Sequence, residues 1–490
     1  MQTYMKSIVS TIAVLFVCAA AYPQSSGRAL TIDDALAIAL AENPSIAALH
    51  HEEEAARRER QATLGLRMPK ISVTGTYAYL GKDMAFDLND LKTGVNNTMS
   101  GIITGGVQGG LIPPQMVPTI QGLLSPLMSA DWRLTLQERS LGFVGGEVTV
   151  PIWLGGKINT AARAARINEN SVAAAGDQTR NALVSELVER YYGLALARQA
   201  VEVRRQVVDG VRKHLDDAEA MMKNGMLARS EYLYVEYKMA EAERELLNAE
   251  LQLSTISDAL NNTLGKNGGE YLPVSDMFIV DRIEGVDYYK SVAADRNPLL
   301  TQVALKRDLA GENVRLQRAA FFPQVVAMGG ASFYTYQVTD ILPRWAVGVG
   351  VSFKIFDGLN REYKYSAAKQ TLQRVEALQT KAESDILVLV EKLYNQMVNN
   401  RNLLTSIDSS MSFAQEYLKA KNSGFLEGMV SSSELIDAEL NLAKVRIERM
   451  QAAYNFDVSL ARLLEAAGIS DEFTAYARRA DARKITFTEQ

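Results

Sequence analysis

Two long stretches of the chain place an apolar residue at every seventh position. No proline lies between Pro151 and Pro273, and none follows Pro343, so nothing interrupts a helix there. The positions of the first series recur 203 residues later, and all are apolar: Leu187, Leu194, Val201, Val208 and Leu215, then Val390, Met397, Leu404, Met411 and Leu418. A seven-residue apolar repeat predicts a left-handed coiled coil. We therefore predict long helices over 157–224 and 360–427.

The segments that follow these helices carry a second pair of heptad series. Their members are Tyr232, Met239, Leu246, Leu253 and Leu260, then Leu435, Leu442, Arg449, Phe456 and Leu463. The pattern predicts return helices over 230–264 and 431–467, so that each long helix turns and comes back. Arg449 is the charged member of the set, and we expect it to face solvent or another helix.

Four other segments have a period of two. From Trp345 to Ile355, bulky apolar residues at the odd positions alternate with small or polar residues. This alternation is typical of a membrane strand with one face toward lipid and one toward a lumen, and about ten residues suffice to cross. Three further segments have similar length and weaker alternation: 71–80, 140–150 and 325–336. We predict β-hairpins over 71–150 and 325–355, with a soluble sandwich as the alternative for any single strand.

The chain also repeats itself once. Asn43-Pro44 recurs as Asn297-Pro298 at an offset of 254 residues, whereas three glycines recur at an offset of 203. The glycine pairs are Gly155 and Gly358, Gly225 and Gly428, and Gly265 and Gly468. The difference indicates an insertion in the first copy, which we assign to a loop over 82–131. The predicted organisation is a first repeat, a linker, a second repeat and a C-terminal tail: 22–265, 266–290, 291–468 and 469–490.

The first 21 residues have the features of an export signal. Lys6 precedes an apolar stretch over 8–21, and the three alanines at 19–21 offer a cleavage site. Lipidation at Cys18 is the alternative, although Val17 stands where a small residue is usual. No later segment has 18 continuous apolar residues, so we expect no transmembrane helix. An exported chain can instead span a membrane as a β-barrel.

Composition and strand number limit the possible assemblies. The formal net charge of −5 is no footprint for nucleic acid, and 47% hydrophobic residues exclude a disordered chain. Four strands cannot close a barrel. Two copies would supply eight strands around a filled interior, and three would supply twelve around a lumen, so a conducting form requires at least three copies.

Several local motifs resemble those of the TolC-type outer-membrane efflux proteins. The segment Leu30–Leu36 followed by Asn43-Pro44 is similar to the start of that family, and Thr31 is placed to cap the first helix. Gly428-Met429-Val430 with the segment 433–438 resembles the second helical hairpin tip. Gly225-Met226-Leu227 with Ser230-Glu231 resembles the first tip.

This resemblance implies a mixed α and β membrane protein. The expected assembly is a homotrimer, with a twelve-stranded outer-membrane barrel continuous with a periplasmic tunnel of coiled-coil helices. The implied partners are a periplasmic adaptor, an inner-membrane pump and outer-membrane lipid. The implied function is the passive exit duct of a tripartite efflux or type I secretion system, and the choice between these two stays open. An exported structural coiled coil, such as a stalk or adhesin, is the alternative, but it leaves the strands and the duplication unexplained.

Three acidic residues near the tips are candidate site residues. Glu434 and Asp437 follow Gly428 at i, i+3 spacing, which puts both on one helix face, and Glu231 follows Gly225 at the spacing of Glu434. The resemblance implies that such carboxylates line the tunnel entrance. A ring of them would favour cations, and crowding would raise some of their pKa values. An ordinary solvated helix face is the alternative. Val430 stands where well-known members have an arginine, which leaves the latch of the entrance open.

The tips themselves are the second candidate site. The resemblance implies that they dock the adaptor, and the candidate residues are Gly225, Met226, Leu227, Gly428, Met429 and Val430. The two glycines also suit tight turns for conformational reasons alone.

The sequence offers no candidate for catalysis. The three histidines, His50, His51 and His214, lack metal-site spacing, and no nucleophile–base set stands out. We therefore expect no enzymatic activity, no metal and no cofactor.

Overall fold

A computed structural model of the chain describes residues 27–338 and 343–485. The expected export signal over 1–21, with Cys18, lies outside the described residues. The elements before the second repeat are β1 (Arg28–Leu30), α1 (Ile32–Glu42), α2 (Pro44–Leu64), β2 (Lys70–Tyr79), β3 (Met84–Asp87), α3 (Asn89–Gln108), α4 (Val117–Ser129), β4 (Arg133–Gln137), β5 (Ser140–Trp153), α5 (Lys157–Lys223), α6 (Arg229–Thr263), β6 (Tyr271–Pro273) and β7 (Met277–Val280).

The elements that follow are α7 (Val286–Arg296), α8 (Pro298–Ala319), β8 (Gln324–Tyr336), β9 (Trp345–Ser352), α9 (Asn360–Leu426), α10 (Ser432–Ala467), α11 (Phe473–Ala477) and β10 (Ala482–Ile485). The chain divides into two compact units. A helical unit contains the residues up to Ala55, Asn170–Lys306 and the residues from Glu376 onward, and a strand unit contains Ala56–Glu169 and Arg307–Val375.

Two helices of 67 residues, α5 and α9, dominate the secondary structure. Each corresponds to about 100 Å of α-helix. Their heptad positions are buried over most of the length; for example, Leu187, Val390 and Met397 have no exposed surface. At the series' last positions, Leu215 and Leu418 are half-buried. Burial of the predicted seam shows that the heptad series are the packing faces of these helices.

Arg449 interrupts the apolar seam of α10 for a specific reason. Its Nε lies 2.8 Å from Asp408 Oδ1 on α9, and Asp408 Oδ2 also accepts from Arg483 at 3.1 Å. Arg449 therefore faces another helix, which is one of the two expected arrangements.

The repeated Asn-Pro motifs join the short helices to the return helices. Asn43 Nδ2 donates to the carbonyl of Thr263 at 2.8 Å, and Asn297 Nδ2 donates to the carbonyl of Ala466 at 2.7 Å. The two acceptors are themselves 203 residues apart, so both repeats build the same joint. Thr31 caps α1 by accepting from the Asp34 N–H at 3.1 Å, which confirms its predicted role.

The predicted linker and tail contribute to the core of the helical unit. In β7, the residues from Met277 to Val280 are buried, and β10 of the tail pairs with them in antiparallel register. In the long helix α5, Tyr191 is completely buried. Its hydroxyl donates to the carbonyl of Leu30 at 2.7 Å and accepts from the Ser275 N–H at 2.9 Å. The start of the first repeat and the linker are thereby fastened to α5, and the tail is held through its pairing with β7.

The strand unit contains an antiparallel four-stranded sheet in the order β2-β5-β8-β9. The odd-numbered apolar residues of β9 are exposed on one face; Val347, for example, is 77% exposed. β2 and β9 are the edges of this sheet. None of the helices in the described parts of the chain combines enough length with enough apolar character to cross a membrane.

Two strand boundaries differ from the prediction by three residues, and the others agree to within one residue. β9 ends at Ser352, which pairs with Gln324, rather than at 355. The preceding residue on the partner side is Pro323, which has no N–H to continue the ladder. β5 instead continues to Trp153, because a bulge lets Trp153 pair with Val325.

The insertion over 82–131 connects the paired strands β2 and β5, and it has regular structure of its own. A short ribbon of β3 and β4 carries the helices α3 and α4, which pack against each other. The half-buried residues of α3 follow a helical period, at Val95, Met99 and Ile103. The insertion also contains seven glycines, and Pro126 lies inside α4. Because both residue types usually mark loops, the helical period was not recognised in the sequence.

Candidate functional site

The hairpin of α5 and α6 turns over 224–228, and Gly225 shapes that turn. Gly225 has a φ of +72°, and its N–H donates to the Met222 carbonyl at 3.0 Å. The N–H of Met226 donates to the Met221 carbonyl at 2.9 Å. This is a Schellman motif, in which a left-handed residue closes the helix end.

The hairpin of α9 and α10 turns over 427–431 with the same geometry. Gly428 has a φ of +74°, and its N–H donates to the Phe425 carbonyl at 3.0 Å. The N–H of Met429 donates to the Gly424 carbonyl at 2.8 Å. The two tip glycines therefore have a conformational reason for their presence, whatever else the tips bind.

The structure separates the four predicted docking side chains into two kinds. Met226 and Met429 project from the tips and are 68% and 74% exposed. Leu227 is half-buried and packs against the apolar cluster of α5, α6 and α10. Val430 covers Gly424 so closely that a Cβ there would lie 2.6 Å from its Cγ2. Leu227 and Val430 therefore support the turns, whereas the two methionines are available to a partner.

Glu434 lies at the start of α10 and is paired with a lysine. Ser431 caps α10 by accepting from the Glu434 N–H at 3.3 Å. The Glu434 carboxylate, 54% exposed, lies 2.7 Å from Lys421 Nζ on α9. That hydrogen bond raises the pKa of Lys421 above its ordinary value.

Asp437 lies one turn further along α10 and contacts α6. Its two oxygens accept from the Tyr234 hydroxyl at 3.0 and 3.1 Å. Lys238 Nζ lies 3.7 Å from Asp437 Oδ1 and 3.2 Å from Glu241 Oε2. Asp437 thus ties the second repeat's return helix to that of the first.

Glu231 is half-buried in the first turn of α6. It precedes Tyr234 by three residues, so it lies on the face of α6 that meets Asp437. Within the described residues, Glu231 forms no ion pair. Ala228, the residue before α6, provides no side-chain cap, in contrast to Ser431. The structure therefore places Glu231, Glu434 and Asp437 near one end of the helical unit, in three different electrostatic environments.

His214 and His50 contact carboxylates other than Glu231, Glu434 and Asp437. His214 Nε2 lies 3.3 Å from Glu439, and its ring contacts Phe425 edge to face. His50 Nδ1 is 3.9 Å from Glu53. The described part of the chain contains no group of three acidic, histidine or cysteine side chains arranged to hold a metal ion.

Sequence reasoning missed the partners of the carboxylates: Lys421, Tyr234 and Lys238. Tyr234 had a signal, because it lies 203 residues before Asp437 and is its counterpart in the first repeat. Lys421 also had one. Lys421 lies seven residues before the tip glycine Gly428, and Glu434 lies six residues after that glycine. An antiparallel hairpin therefore brings Lys421 and Glu434 opposite each other. Lys238 had no such signal, since its contact depends on how two separate hairpins pack.

Comparison with known proteins decides the family. The family model of the outer membrane efflux protein matches residues 128–266 and 290–469, which is more than half of the chain. The chain belongs to the outer membrane efflux protein family. The resemblance noted in the sequence is thereby confirmed. As a family member, the chain belongs among outer-membrane efflux and transport channels, which are not enzymes.

The relatives of this chain are named for different transport roles. The chain is 23% identical over 310 residues to the alkaline protease secretion protein AprF of Pseudomonas aeruginosa, a match that spans 59% of this chain and 62% of AprF. It is 21% identical to the cobalt-zinc-cadmium resistance protein CzcC of Cupriavidus metallidurans, over 72% of this chain and 84% of CzcC. The fold matches the outer membrane protein VceC of Vibrio cholerae with a TM-score of 0.67 and 14% identity, over 89% of this chain and 96% of VceC.

Proposed function

We propose that the protein is the passive exit duct of a tripartite efflux or type I secretion system in the outer membrane. The observation that carries the proposal is one chain that holds both a four-stranded sheet with an exposed apolar face and two long coiled-coil hairpins. The strands suit a lipid environment, and the hairpins suit water. An exported stalk would need the hairpins alone.

The proposed assembly is a homotrimer. The sheet has two free edges, β2 and β9, and free edges invite pairing with another chain. Three copies joined edge to edge give a twelve-stranded barrel wide enough for a lumen. The same three copies supply twelve helices, α5, α6, α9 and α10 from each, for a periplasmic tunnel.

The tips form the proposed entrance and adaptor site. Glu231, Glu434 and Asp437 would line the entrance. Glu434 and Asp437 are exposed and Glu231 is half-buried, which is compatible with contact with permeating ions. The projecting Met226 and Met429 are suited to bind an apolar pocket of a periplasmic adaptor. Energy would come from an inner-membrane pump, which would also select the substrate.

The two transport classes stay open because the relatives include both. AprF is named for secretion of a protease, and CzcC for resistance to metal ions. The genes beside this one would separate the classes: an ABC exporter indicates secretion, and a proton-driven pump indicates efflux.

Single-channel recording in a planar bilayer tests the duct itself. The purified, folded trimer should give discrete openings, and the double variant Glu434→Gln/Asp437→Asn should change their ion preference. Protein with the far-UV circular dichroism of the native fold but without any openings, in wild type and variants alike, would support the stalk. Openings with unchanged preference would keep the duct and remove these two residues from its entrance.

A further inference from the structure

The two candidate carboxylates of α10, Glu434 and Asp437, each have a lysine beside them. Lys421 Nζ lies 2.7 Å from Glu434, within hydrogen-bond distance. Lys238 Nζ lies between Asp437 and Glu241, at 3.7 and 3.2 Å. The surroundings of the two carboxylates therefore carry positive as well as negative charge. A ring built from these groups would have a much smaller net charge than a ring of bare carboxylates.

The two repeats differ at the lysine positions. The counterpart of Lys421 in the first repeat is Ala218, and the counterpart of Lys238 in the second repeat is Asn441. Glu231, the counterpart of Glu434, consequently has no lysine across its own hairpin. Duplication alone would have produced matching pairs, so each lysine has been gained or lost in one copy.

The lysine–carboxylate pairs lie where solvent ions can reach them. The Glu434 side chain is 54% exposed, and that of Asp437 is 55% exposed. The lysines are more covered, at 23% for Lys421 and 17% for Lys238. Exposed pairs of this kind contribute little to stability. Their effect on the local field persists, because the positive charge stays within a few ångströms of the carboxylate.

We propose that Lys421 and Lys238 weaken the cation preference of the entrance by partly offsetting the negative charge of Glu434, Asp437 and Glu241, which leaves Glu231 as the candidate carboxylate with no lysine across its own hairpin. This inference rests on the proposed function, since it requires that the tips line a conducting pathway. It differs from that function in its prediction. A ring whose field comes from the carboxylates alone is insensitive to the loss of the Lys421 charge, whereas a compensated ring gains cation preference when Lys421 is neutralised.

The test is the reversal potential of the reconstituted trimer in a KCl gradient. Lys421→Gln should raise the ratio of potassium to chloride permeability severalfold, because one unit charge acting over 4 Å in water changes the local concentration of a monovalent ion by about fivefold. Lys238→Gln should shift it in the same direction. Glu231→Gln and Glu434→Gln should each lower the ratio, because each removes one negative charge per copy.

The chain offers a matched control in Lys419. It lies two residues from Lys421 on α9, is 77% exposed, and is paired with Glu416 at 4.0 Å. Lys419→Gln should leave the reversal potential unchanged. The exchange Lys421→Glu/Glu434→Lys keeps the net charge and should restore the wild-type value, whereas Lys421→Glu alone should shift it further than Lys421→Gln.

The outcomes separate this inference from the proposed function. Openings whose reversal potential is the same in Lys421→Gln and Lys419→Gln would overturn the compensation while leaving the duct intact. Complete absence of openings from the folded wild type and all variants would contradict the duct itself. Unchanged melting temperatures across the set would show that any shift reflects charge at the entrance rather than altered folding.

Discussion

At the residue scale, most residues that the two repeats share allow backbone segments to approach each other closely. Gly265 and Gly468 follow the return helices with φ of +70° and +77°. A Cβ on Gly468 would collide with the carbonyl oxygen of Arg296, and one on Gly265 with that of Glu42. The Asn-Pro motifs lie directly beside these contacts. The repeated glycine and the repeated Asn-Pro motif therefore form the same contact in both copies, in which two helix ends approach each other closely.

Gly468→Ala should therefore destabilise the protein. The left-handed backbone costs a residue with a Cβ about 1–3 kcal/mol, and the collision with Arg296 adds to that cost. The expected result is a lower midpoint of thermal denaturation, measured by circular dichroism of the solubilised protein. Gly311→Ala is the matched control, because Gly311 lies inside α8 with open space at its Cβ. That change should be neutral or stabilising, and an equal loss in both variants would contradict the account of the joint.

A buried acid in the same core gives a prediction on pH. Asp457 has no exposed surface, its Oδ2 accepts from the Phe278 N–H at 3.3 Å, and its Oδ1 has no partner in the described residues. Burial raises the pKa of this carboxyl well above its ordinary value. The folded protein therefore holds a proton that the unfolded chain releases, so stability is greatest below the ordinary pKa and falls as the pH rises toward the folded one.

Asp457→Asn should remove that dependence, since asparagine keeps the shape and the acceptor but cannot ionise. Between about pH 5 and about pH 8, the wild-type melting temperature should fall more than that of the variant. Asp216→Asn, at an exposed position on α5, should follow the wild type. Parallel curves for wild type and Asp457→Asn would show that the carboxyl is not protonated in the folded state.

At the element scale, helices and strands could be predicted from the sequence wherever the apolar residues recurred with a long, uninterrupted period. The heptads of α5 and α9 run over several turns, and each hydrophobic position reports the same buried face. The strand of Trp345 to Ser352 was also recognisable, because its alternation is strict. The pairing of β10 with β7 was not, since those segments lie about 200 residues apart and nothing local encodes the contact. The same holds for Lys238 and Asp437, whose contact depends on how α6 meets α10.

The inserted helices show the opposite limit of sequence reasoning. Residues 93–130 contain no charged residue, and glycine recurs throughout α3. Helix propensity therefore argued against helices, although the apolar spacing supports them. The ribbon of β3 and β4 supplies what the local sequence lacks, because it holds the two ends of the insertion together.

At the scale of the whole molecule, the unpaired sheet edges are the feature that demands a partner. β2 and β9 each offer a row of backbone groups with no neighbour in the described chain. Natural proteins protect such edges with charges, prolines or bulges, and the central residues of β9 are instead valine and glycine. The edges are therefore built for pairing, and the proposed trimer pairs β9 of one copy with β2 of the next.

Cysteine cross-linking tests that pairing directly. A cysteine at Gly348, where a Cβ meets open space, is combined in turn with a cysteine at Ser72, Thr74 or Thr76 of β2. One of these pairs should link three chains covalently, because a fixed register brings one β2 position opposite residue 348. The expected result is a band of three chains on a denaturing gel after oxidation, lost again on reduction. The single-cysteine variants should give no such band, and pairs that cross-link no better than the single variants would rule out a ring closed through these two edges.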